Sequence, residues 1–373
     1  MARIDALLEI VHKHGASDLH IRPGSPPMLR VNGQIEPLTG QVVSQELIQL
    51  MLGEIMDAEA RARLERDHDV DFAYEVPGSL RVRCNVFHHH MGLAAAIRVL
   101  PSRIFSVEEL GLPVQMLKLT ELKRGLVVVT GPPGSGKSTT LAALLDHINR
   151  HQRKHILTIE DPIEFRHTNQ QSIITHREVG RHSPTFGRAL RAALREDPDV
   201  IMIGEMRDAE SMGLALTAAS TGQLVFATLH TQSATQTVDR ILDSFDGERQ
   251  TQARLMLSES LRCVIAQRLL CRADGPGRVL GLEVLVGTYA VAALVRERKT
   301  YQLTSVMQTG RKEGMQTLDD SIMKLVREGI VSPEEAQIYL ANRDPLGAAM
   351  RSTPSPPQSV TAAVPVPPQA EAA

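Results

Sequence analysis

A glycine-rich segment that begins at Gly131 has the residue types and the spacing of a phosphate-binding loop. Residues 131–139 read GPPGSGKST and match the pattern GxxxxGK[ST]. Glycines let backbone N–H groups turn inward around phosphate oxygens, because glycine adopts positive φ angles at little cost. In this pattern Lys137 lies near the β- and γ-phosphates, and the Ser138 hydroxyl binds Mg²⁺. The segment predicts that ATP and Mg²⁺ are bound by Gly131, Pro132, Pro133, Gly134, Ser135, Gly136, Lys137, Ser138 and Thr139.

Carboxylates follow two apolar segments that read as strands. Residues 156–165 read ILTIEDPIEF, which places Glu160, Asp161 and Glu164 at a strand end. We expect Glu160 to bind Mg²⁺, partly through water, and Glu164 to polarise the attacking water; a solvated acidic turn is the alternative. Residues 197–208 read DPDVIMIGEMRD, and Glu205 is placed to orient or deprotonate water. This second motif is weak alone and strong downstream of a phosphate loop.

A histidine and three arginines complete the candidate catalytic set. His230 ends the segment TGQLVFATLH after another apolar strand, where we expect it to contact the γ-phosphate or a subunit interface. A packed or surface histidine is the alternative. Arg81, Arg83 and Arg98 lie on predicted strands near the N-terminus. They form either a solvated face or arginine fingers that reach the phosphates of a neighbouring nucleotide.

The chain has three consecutive histidines, His88, His89 and His90, and histidine is a common metal ligand. Consecutive residues of a strand point to opposite faces, so the three cannot share one. We expect a solvated loop here and not a metal site.

Apolar strands alternate with helical patterns in the region that must position these residues. The predicted strands are 126–130, 155–160, 200–203 and 224–228. Such alternation indicates a parallel or mixed sheet covered by helices, with ligands at the carboxyl ends of the strands. From about Arg249 the pattern becomes mainly helical. We predict helices at 252–270, 289–297, 317–328 and 333–339.

The first hundred or so residues have a different, turn-rich pattern. An amphipathic helix pattern opens the chain, and a second one covers 44–56. Short strands are predicted at 17–22, 28–31, 69–74, 80–87 and 93–99. This combination indicates a small α+β domain with a mostly antiparallel sheet. We therefore divide the chain into an N-terminal domain (1–100), a linker (101–122), an ATPase domain (123–344) and a disordered tail rich in Pro and Ala (345–373).

Composition excludes several classes of protein. The net charge is −2, aromatic residues make up 3% and Trp is absent, which argues against a nucleic-acid translocase. The three cysteines form no CxxC pair, so we expect neither a disulfide framework nor a zinc site. No apolar run approaches the ~18 residues of a membrane span. We expect a cytoplasmic protein that meets the membrane only through a partner.

Together these motifs resemble the type II/IV secretion ATPase superfamily and, within it, the PilT-type retraction ATPases of type IV pili. The resemblance covers roughly residues 3–342. It is carried by GASDLHI (15–21), RVRCNVF (81–87), the phosphate loop, ILTIEDPIEF, REDPDVIMIGEMRD (195–208), TGQLVFATLHT (221–231) and SVMQTGRKEGMQTLD (305–319).

The resemblance implies an N-terminal PAS-like domain, a RecA-like ATPase domain and a homohexameric ring. It also implies ATP-driven movement between neighbouring subunits, which draws pilins back through an inner-membrane platform protein, and so a location at the cytoplasmic side of the inner membrane. By motif, Lys137 and Ser138 bind phosphate and Mg²⁺, and Glu205, Glu164 and His230 are the catalytic acids and histidine. The three arginines match family arginines that approach nucleotide from the N-terminal side.

The sequence departs from the family pattern in two places, and the first of them bears on how hydrolysis is coupled to retraction. Ala290, Val291 and Ala292 stand where the family often has Ala-Ile-Arg, and Met91 replaces a basic residue. An accessory retraction paralogue, working beside another retraction ATPase, is therefore one alternative. A pilus or secretion assembly ATPase is the other. Assembly ATPases usually carry a long extra N-terminal region and a four-cysteine insert, and neither is expected here.

Overall fold

The computed structural model describes residues 2–31, 34–38, 40–100 and 103–340. The predicted tail, 345–373, lies outside the described residues, as do the first two residues of the predicted linker. We call residues 2–100 the N-terminal part and residues 103–340 the C-terminal part. The fold is α/β with two separate sheets, which confirms the predicted fold class at that level.

The described residues of the N-terminal part form a six-stranded sheet with helices packed on one face. Every strand pair is antiparallel, which confirms the mostly antiparallel sheet predicted from the turn-rich pattern. The strand order is β3-β2-β1-β6-β5-β4. The elements are α1 (Arg3–Lys13), β1 (Asp18–Ile21), β2 (Met28–Val31), β3 (Gln34–Pro37), α2 (Gln45–Ile55), α3 (Ala58–Asp67), β4 (Asp69–Glu75), β5 (Arg81–His89) and β6 (Gly92–Leu100). The sequence did not reveal α3 or β3.

Alternation along β5 decides which way its arginines point. Val82, Cys84 and Val86 are fully buried in the core beneath the helices. Arg81 and Arg83 alternate with them and are half-buried on the other face of the sheet. His88 and His89 also belong to β5, so the prediction of a loop there was wrong for these two residues.

The C-terminal part begins with a 3₁₀ helix (Val114–Glu121) and builds a seven-stranded sheet within the described residues. Two short 3₁₀ helices also occur, at Thr300–Gln302 and Arg311–Glu313. The elements are β7 (Gly125–Thr130), α4 (Lys137–His151), β8 (His155–Glu160), β9 (Ile173–Glu178), α5 (Phe186–Ala193), β10 (Val200–Ile203), α6 (Ala209–Thr221), β11 (Leu224–Leu229), α7 (Ala234–Asp243), α8 (Gly247–Ser260), β12 (Leu261–Cys271), β13 (Arg278–Val286), α9 (Tyr289–Arg296), α10 (Leu303–Thr309), α11 (Leu318–Arg327) and α12 (Pro333–Tyr339).

The strands of this sheet run in the order β13-β12-β7-β11-β10-β8-β9, and only the β12–β13 pair is antiparallel. Every residue of β7, β10 and β11 is buried, because both faces of the sheet are covered. Successive residues of β7 enter opposite cores: Leu126 and Val128 face one, Val127 and Val129 the other. The four strands predicted from the sequence are confirmed, and their carboxyl ends lie along one edge.

The predicted helix over 252–270 was wrong in its second half. The helix α8 ends at Ser260, and residues 261–271 form β12, which pairs parallel with β7 and antiparallel with β13. A short apolar run such as CVIAQRLL suits a buried strand and a buried helix equally, and pairing with β7 decided between them. The sequence also did not reveal β9 and β13.

No helix in the described ranges is both long enough and apolar enough to cross a bilayer.

Candidate nucleotide site

The predicted phosphate loop joins β7 to α4 at the carboxyl edge of the seven-stranded sheet. Gly131, Gly134 and Gly136 have φ angles of 145°, 77° and 87°, which residues with a side chain rarely adopt. Gly136 is the N-cap of α4, so the first N–H groups of this helix are available to an anion. The loop therefore has the backbone geometry that phosphate binding requires.

Lys137, in the first turn of α4, is buried and held by three hydrogen bonds. Its ammonium donates to the carbonyls of Gly131 at 2.9 Å and Pro132 at 3.1 Å, and contacts His230 Nδ1 at 3.3 Å. Burial lowers the pKa of Lys137, and the nearby Glu205 and Glu164 oppose that shift. An ammonium has three N–H donors, so these contacts use all of them. A bound phosphate would have to displace at least one.

The carboxylate of Glu205 lies just beyond β10, between His230 and Arg207. Its Oε1 atom is 3.2 Å from His230 Nε2, and its Oε2 atom accepts a hydrogen bond from Arg207 Nε at 2.8 Å. Because His230 Nδ1 accepts from Lys137, the ring proton is on Nε2 and faces Glu205. His230 thus links the lysine of the loop to the carboxylate predicted to act on water. Sequence reasoning missed Arg207, although it stands two residues after Glu205 in the same motif.

Glu160, the last residue of β8, is 6% exposed and has one unsatisfied oxygen. Its Oε2 accepts the Glu164 N–H at 3.1 Å, whereas Oε1 has no hydrogen-bond partner among the described residues. A buried carboxylate oxygen without a partner is costly unless a bound group supplies one. Ser138 lines the same cavity as Glu160. Hard oxygen ligands of this kind fit Mg²⁺.

The three predicted arginines divide between two places. Arg83 and Arg98 line the cavity above the phosphate loop, and each is tethered by an acid of its own sheet. Arg83 forms a bidentate pair with Asp71, which raises the pKa of Arg83, and Arg98 Nε donates to Asp18 at 2.8 Å. Arg81 instead lines an adjacent groove, where it donates to the Ile163 carbonyl at 3.1 Å.

A cavity of about 470 Å³ joins these residues and lies between the N-terminal and C-terminal parts. Four of the predicted site residues do not line it: Gly131, Pro132, Ser135 and Arg81. The predicted residues that line it are Pro133, Gly134, Gly136, Lys137, Ser138, Thr139, Glu160, Glu164, Glu205, His230, Arg83 and Arg98.

Gln267 of β12 packs against the phosphate loop and stabilises it. No sequence pattern predicted this role for Gln267. This residue is fully buried, and its Nε2 donates to the Ser135 carbonyl at 2.8 Å. Its own carbonyl closes the space behind Gly131, because a Cβ there would lie 2.4 Å from that oxygen. The contact depends on β12 being a strand beside β7, which the sequence reasoning had assigned to a helix.

A phosphate loop after a buried strand, with acids at the ends of neighbouring parallel strands, defines a P-loop ATPase. The sequence matches the family described as type II/IV secretion system protein over residues 1–275. The chain belongs to this family.

Two relatives and one solved structure are similar to this chain over most of their length. The type IV pilus retraction ATPase PilT of Pseudomonas aeruginosa is 47% identical over 334 residues, which cover 90% of this chain and 97% of that one. A twitching motility protein of Neisseria gonorrhoeae is 49% identical over 318 residues, 85% of each chain. A crystal structure of the pilus retraction motor PilT with bound ADP superposes with a TM-score of 0.84 at 42% identity, covering 93% of this chain and all of that one.

Proposed function

We propose that the protein is an ATPase motor that drives type IV pilus retraction and so supports twitching motility. The observation that carries this proposal is the cavity in which Lys137, Glu205 and His230 meet the arginines Arg83 and Arg98 of the N-terminal part. An ATPase whose site is lined from two parts of the chain can couple a change in the bound phosphates to a movement between them. The similarity to retraction ATPases supports retraction as the work performed.

The finer architecture belongs to this proposal. The N-terminal part is a PAS-like domain, the C-terminal part is a RecA-like ATPase domain, and the two are joined by the linker 101–122. The active form is a homohexamer in which arginines reach nucleotide across a junction. The ring acts on an inner-membrane platform protein at the cytoplasmic base of the pilus. The tethering of Arg83 and Arg98 by acids supports this role, because a tether fixes a guanidinium toward the cavity.

The residues of the site divide the work of hydrolysis. The phosphate loop and the start of α4 bind the phosphates through backbone N–H groups. Lys137 turns from the Gly131 and Pro132 carbonyls to the β- and γ-phosphates. Glu205 orients the attacking water and takes its proton, while His230 keeps that carboxylate aligned with Lys137. Glu164, which lines the same cavity, polarises the attacking water.

Ser138 and Glu160 would hold Mg²⁺, which neutralises charge on the β- and γ-phosphate oxygens when bound. The unpartnered Glu160 Oε1 supports this assignment.

ATP turnover and nucleotide binding by the Glu205→Ala variant test the enzymatic half of the proposal. We expect turnover to fall about 100- to 10,000-fold, the usual contribution of a general base, while ATP affinity stays within a few-fold of wild type. Glu248→Ala, which removes an exposed glutamate of α8, is the matched control and should leave both quantities unchanged. Near wild-type turnover by Glu205→Ala would remove the assignment of this residue.

Deletion of the gene tests the cellular half. Loss of retraction leaves many surface pili and no surface motility, whereas loss of assembly leaves no pili. Counting pili by electron microscopy beside a surface-motility assay separates the two outcomes. Absent pili would replace this proposal with an assembly ATPase.

A second candidate, an accessory retraction ATPase, is favoured by one local observation. Ala292 lies in the first turn of α9, where related motors often carry an arginine, and its N–H bonds to Thr288 O at 2.9 Å as in any helix start. The backbone is therefore intact and only the charge is missing. If a strain that lacks other retraction ATPases retracts pili with the wild-type protein, the motor works alone. Retraction only after Ala292→Arg would assign the accessory role.

A further inference from the structure

One face of the β8–β9 pair presents a histidine beside the carboxylate that would hold Mg²⁺. The strands are parallel, with Thr158 opposite His176 and Glu160 opposite Glu178. Residues two apart on a strand share a face, so the His176 ring lies next to both Thr158 and Glu160. Its Nδ1 atom is 2.9 Å from Thr158 Oγ1 and 3.7 Å from Glu160 Oε1.

The hydrogen bond at the far side of the ring decides which nitrogen carries the proton. The backbone N–H of His167 donates to His176 Nε2 at 3.2 Å, so Nε2 is an acceptor. The proton of the neutral ring is therefore on Nδ1, the atom that faces Thr158 and Glu160. The side chain is 17% exposed, and the His167 ring stacks on it with 5.9 Å between centroids. Backbone, stacking and strand pairing together fix the ring in this orientation.

The two oxygens of Glu160 are treated differently by their surroundings. The Glu164 N–H binds Oε2 directly, whereas Oε1 faces the His176 N–H from beyond hydrogen-bond distance. The N–H dipole attracts Oε1 without occupying the lone pair that a metal or a metal-bound water would use. Carboxylates that bind metals are commonly oriented by such outer partners, whose loss costs roughly 10- to 100-fold in metal affinity or activity.

We propose that His176 is a positioning residue that orients Glu160 for the magnesium–nucleotide complex, through an Nδ1–H that is hydrogen-bonded to Thr158 and whose dipole attracts the nearby Oε1 of Glu160. This inference rests on the proposed ATPase function. It adds a residue that lies outside the cavity lining and outside the motifs that carry the family resemblance.

Two substitutions test the contribution of the Nδ1–H donor and the contribution of the aromatic ring independently. His176→Phe keeps the stacking on His167 and removes both the Nδ1 donor and the Nε2 acceptor of the His167 N–H. His176→Asn removes the ring and keeps an N–H at the position of Nδ1, because both nitrogens are bonded to Cγ. The matched control is His155→Phe, since His155 Nε2 lies 3.0 Å from Thr175 Oγ1 and joins the same two strands at their other end. It therefore removes an equivalent contact far from Glu160.

The measurement is the dissociation constant of ADP by calorimetry, with Mg²⁺ and with a chelator. We expect the gain in affinity that Mg²⁺ provides to fall about 10-fold in His176→Phe. The gain should be largely kept in His176→Asn and unchanged in His155→Phe. Affinity in chelator reports whether each variant has a folded phosphate loop, and His176→Ala replaces His176→Phe if that variant does not fold.

Three outcomes have distinct meanings. A full Mg²⁺ effect in His176→Phe overturns the inference while wild-type binding and turnover leave the ATPase proposal standing. An equal loss in His176→Phe and His176→Asn also overturns it, because keeping an N–H at the Nδ1 position would then recover nothing, and the shared loss of the Nε2 acceptor of the His167 N–H would account for the effect. A wild-type protein that shows no Mg²⁺ effect and no ATP turnover removes the proposed function and this inference with it.

Discussion

Replacing Gly131 with alanine tests whether β12 holds the phosphate loop in place. The residue has a φ of 145°, and an added Cβ would lie 2.4 Å from the Gln267 carbonyl and 2.6 Å from Ser135 Oγ. The first of these atoms belongs to the backbone of β12, which pairs with β13 at Gln267 and with β7 as far as the preceding residue, so it cannot move without disturbing the sheet. We therefore expect the substitution to displace the loop and to destabilise the fold around it.

The matched comparison is Gly134→Ala in the same loop. Gly134 has a φ of 77°, but nothing lies within 4 Å of an added Cβ. A positive φ costs a residue with a side chain about 1–2 kcal/mol. Forcing an atom into a packed site adds about 1–3 kcal/mol. Gly134→Ala should therefore lose about 1–2 kcal/mol of unfolding free energy, and Gly131→Ala about 2–5 kcal/mol.

Urea unfolding without nucleotide, monitored by circular dichroism, measures the unfolding free energy of each variant. The affinity of each variant for ADP is measured separately. We expect Gly131→Ala to be about 1–3 kcal/mol less stable than Gly134→Ala and to bind ADP more weakly. Equal stabilities would refute the reasoning, since they would mean that β12 does not press against the loop.

Two further predictions concern the arginines and a buried histidine. Arg83→Ala and Arg98→Ala should lower ATP turnover while nucleotide affinity of the isolated subunit is kept, with Arg311→Ala, exposed near α11, as the control. Unchanged turnover in both would exclude these arginines from catalysis. Burial, with a contribution from His176, lowers the pKa of His167 to about 4 from 6.5. The folded state thus keeps His167 neutral, and the stability it contributes is complete above pH 6.5 and is lost as pH falls toward 4. At 1.36 kcal/mol per pH unit the loss between pH 7 and pH 4.5 is about 2–3 kcal/mol, because pH 4.5 lies two units below the ordinary pKa of 6.5. His167→Leu should abolish this difference in urea unfolding at the two pH values. If the wild type and His167→Leu lost the same unfolding free energy between pH 7 and pH 4.5, the role of His167 in this loss would be refuted.

Most of the candidate site could be predicted because its residues follow strands of one parallel sheet. Glu160, Glu205 and His230 each come directly or nearly directly after an apolar run, and parallel strands bring those ends to one edge. Local pattern and chain order were sufficient for that much. For the arginines of the N-terminal part the residues left two alternatives open, a solvated face or arginine fingers, and the family resemblance favoured the second, since no local pattern connects them to the phosphate loop.

Pairing between distant segments accounts for the residues of β12 and β9 that the sequence reasoning missed. The run 261–271 has no periodicity that separates a buried strand from a buried helix, and it became β12 because β7 and β13 lie on either side of it. Its contribution to the site, Gln267 beneath Ser135, was therefore not visible. The same holds for His176, which reaches Glu160 only because β9 pairs in register with β8.

The sequence by itself determined the ligand and the chemistry, because a phosphate loop is a continuous segment whose glycines, lysine and serine act at fixed spacing. Tertiary structure alone decided the surroundings of that loop. It brought Arg83 and Arg98 to the cavity while turning Arg81 to the neighbouring groove, and it gave His230 its proton on Nε2 through the contact with Lys137. Such choices depend on distances between residues far apart in the chain, and those distances are set by strand pairing within each sheet and by contacts between the N-terminal and C-terminal parts.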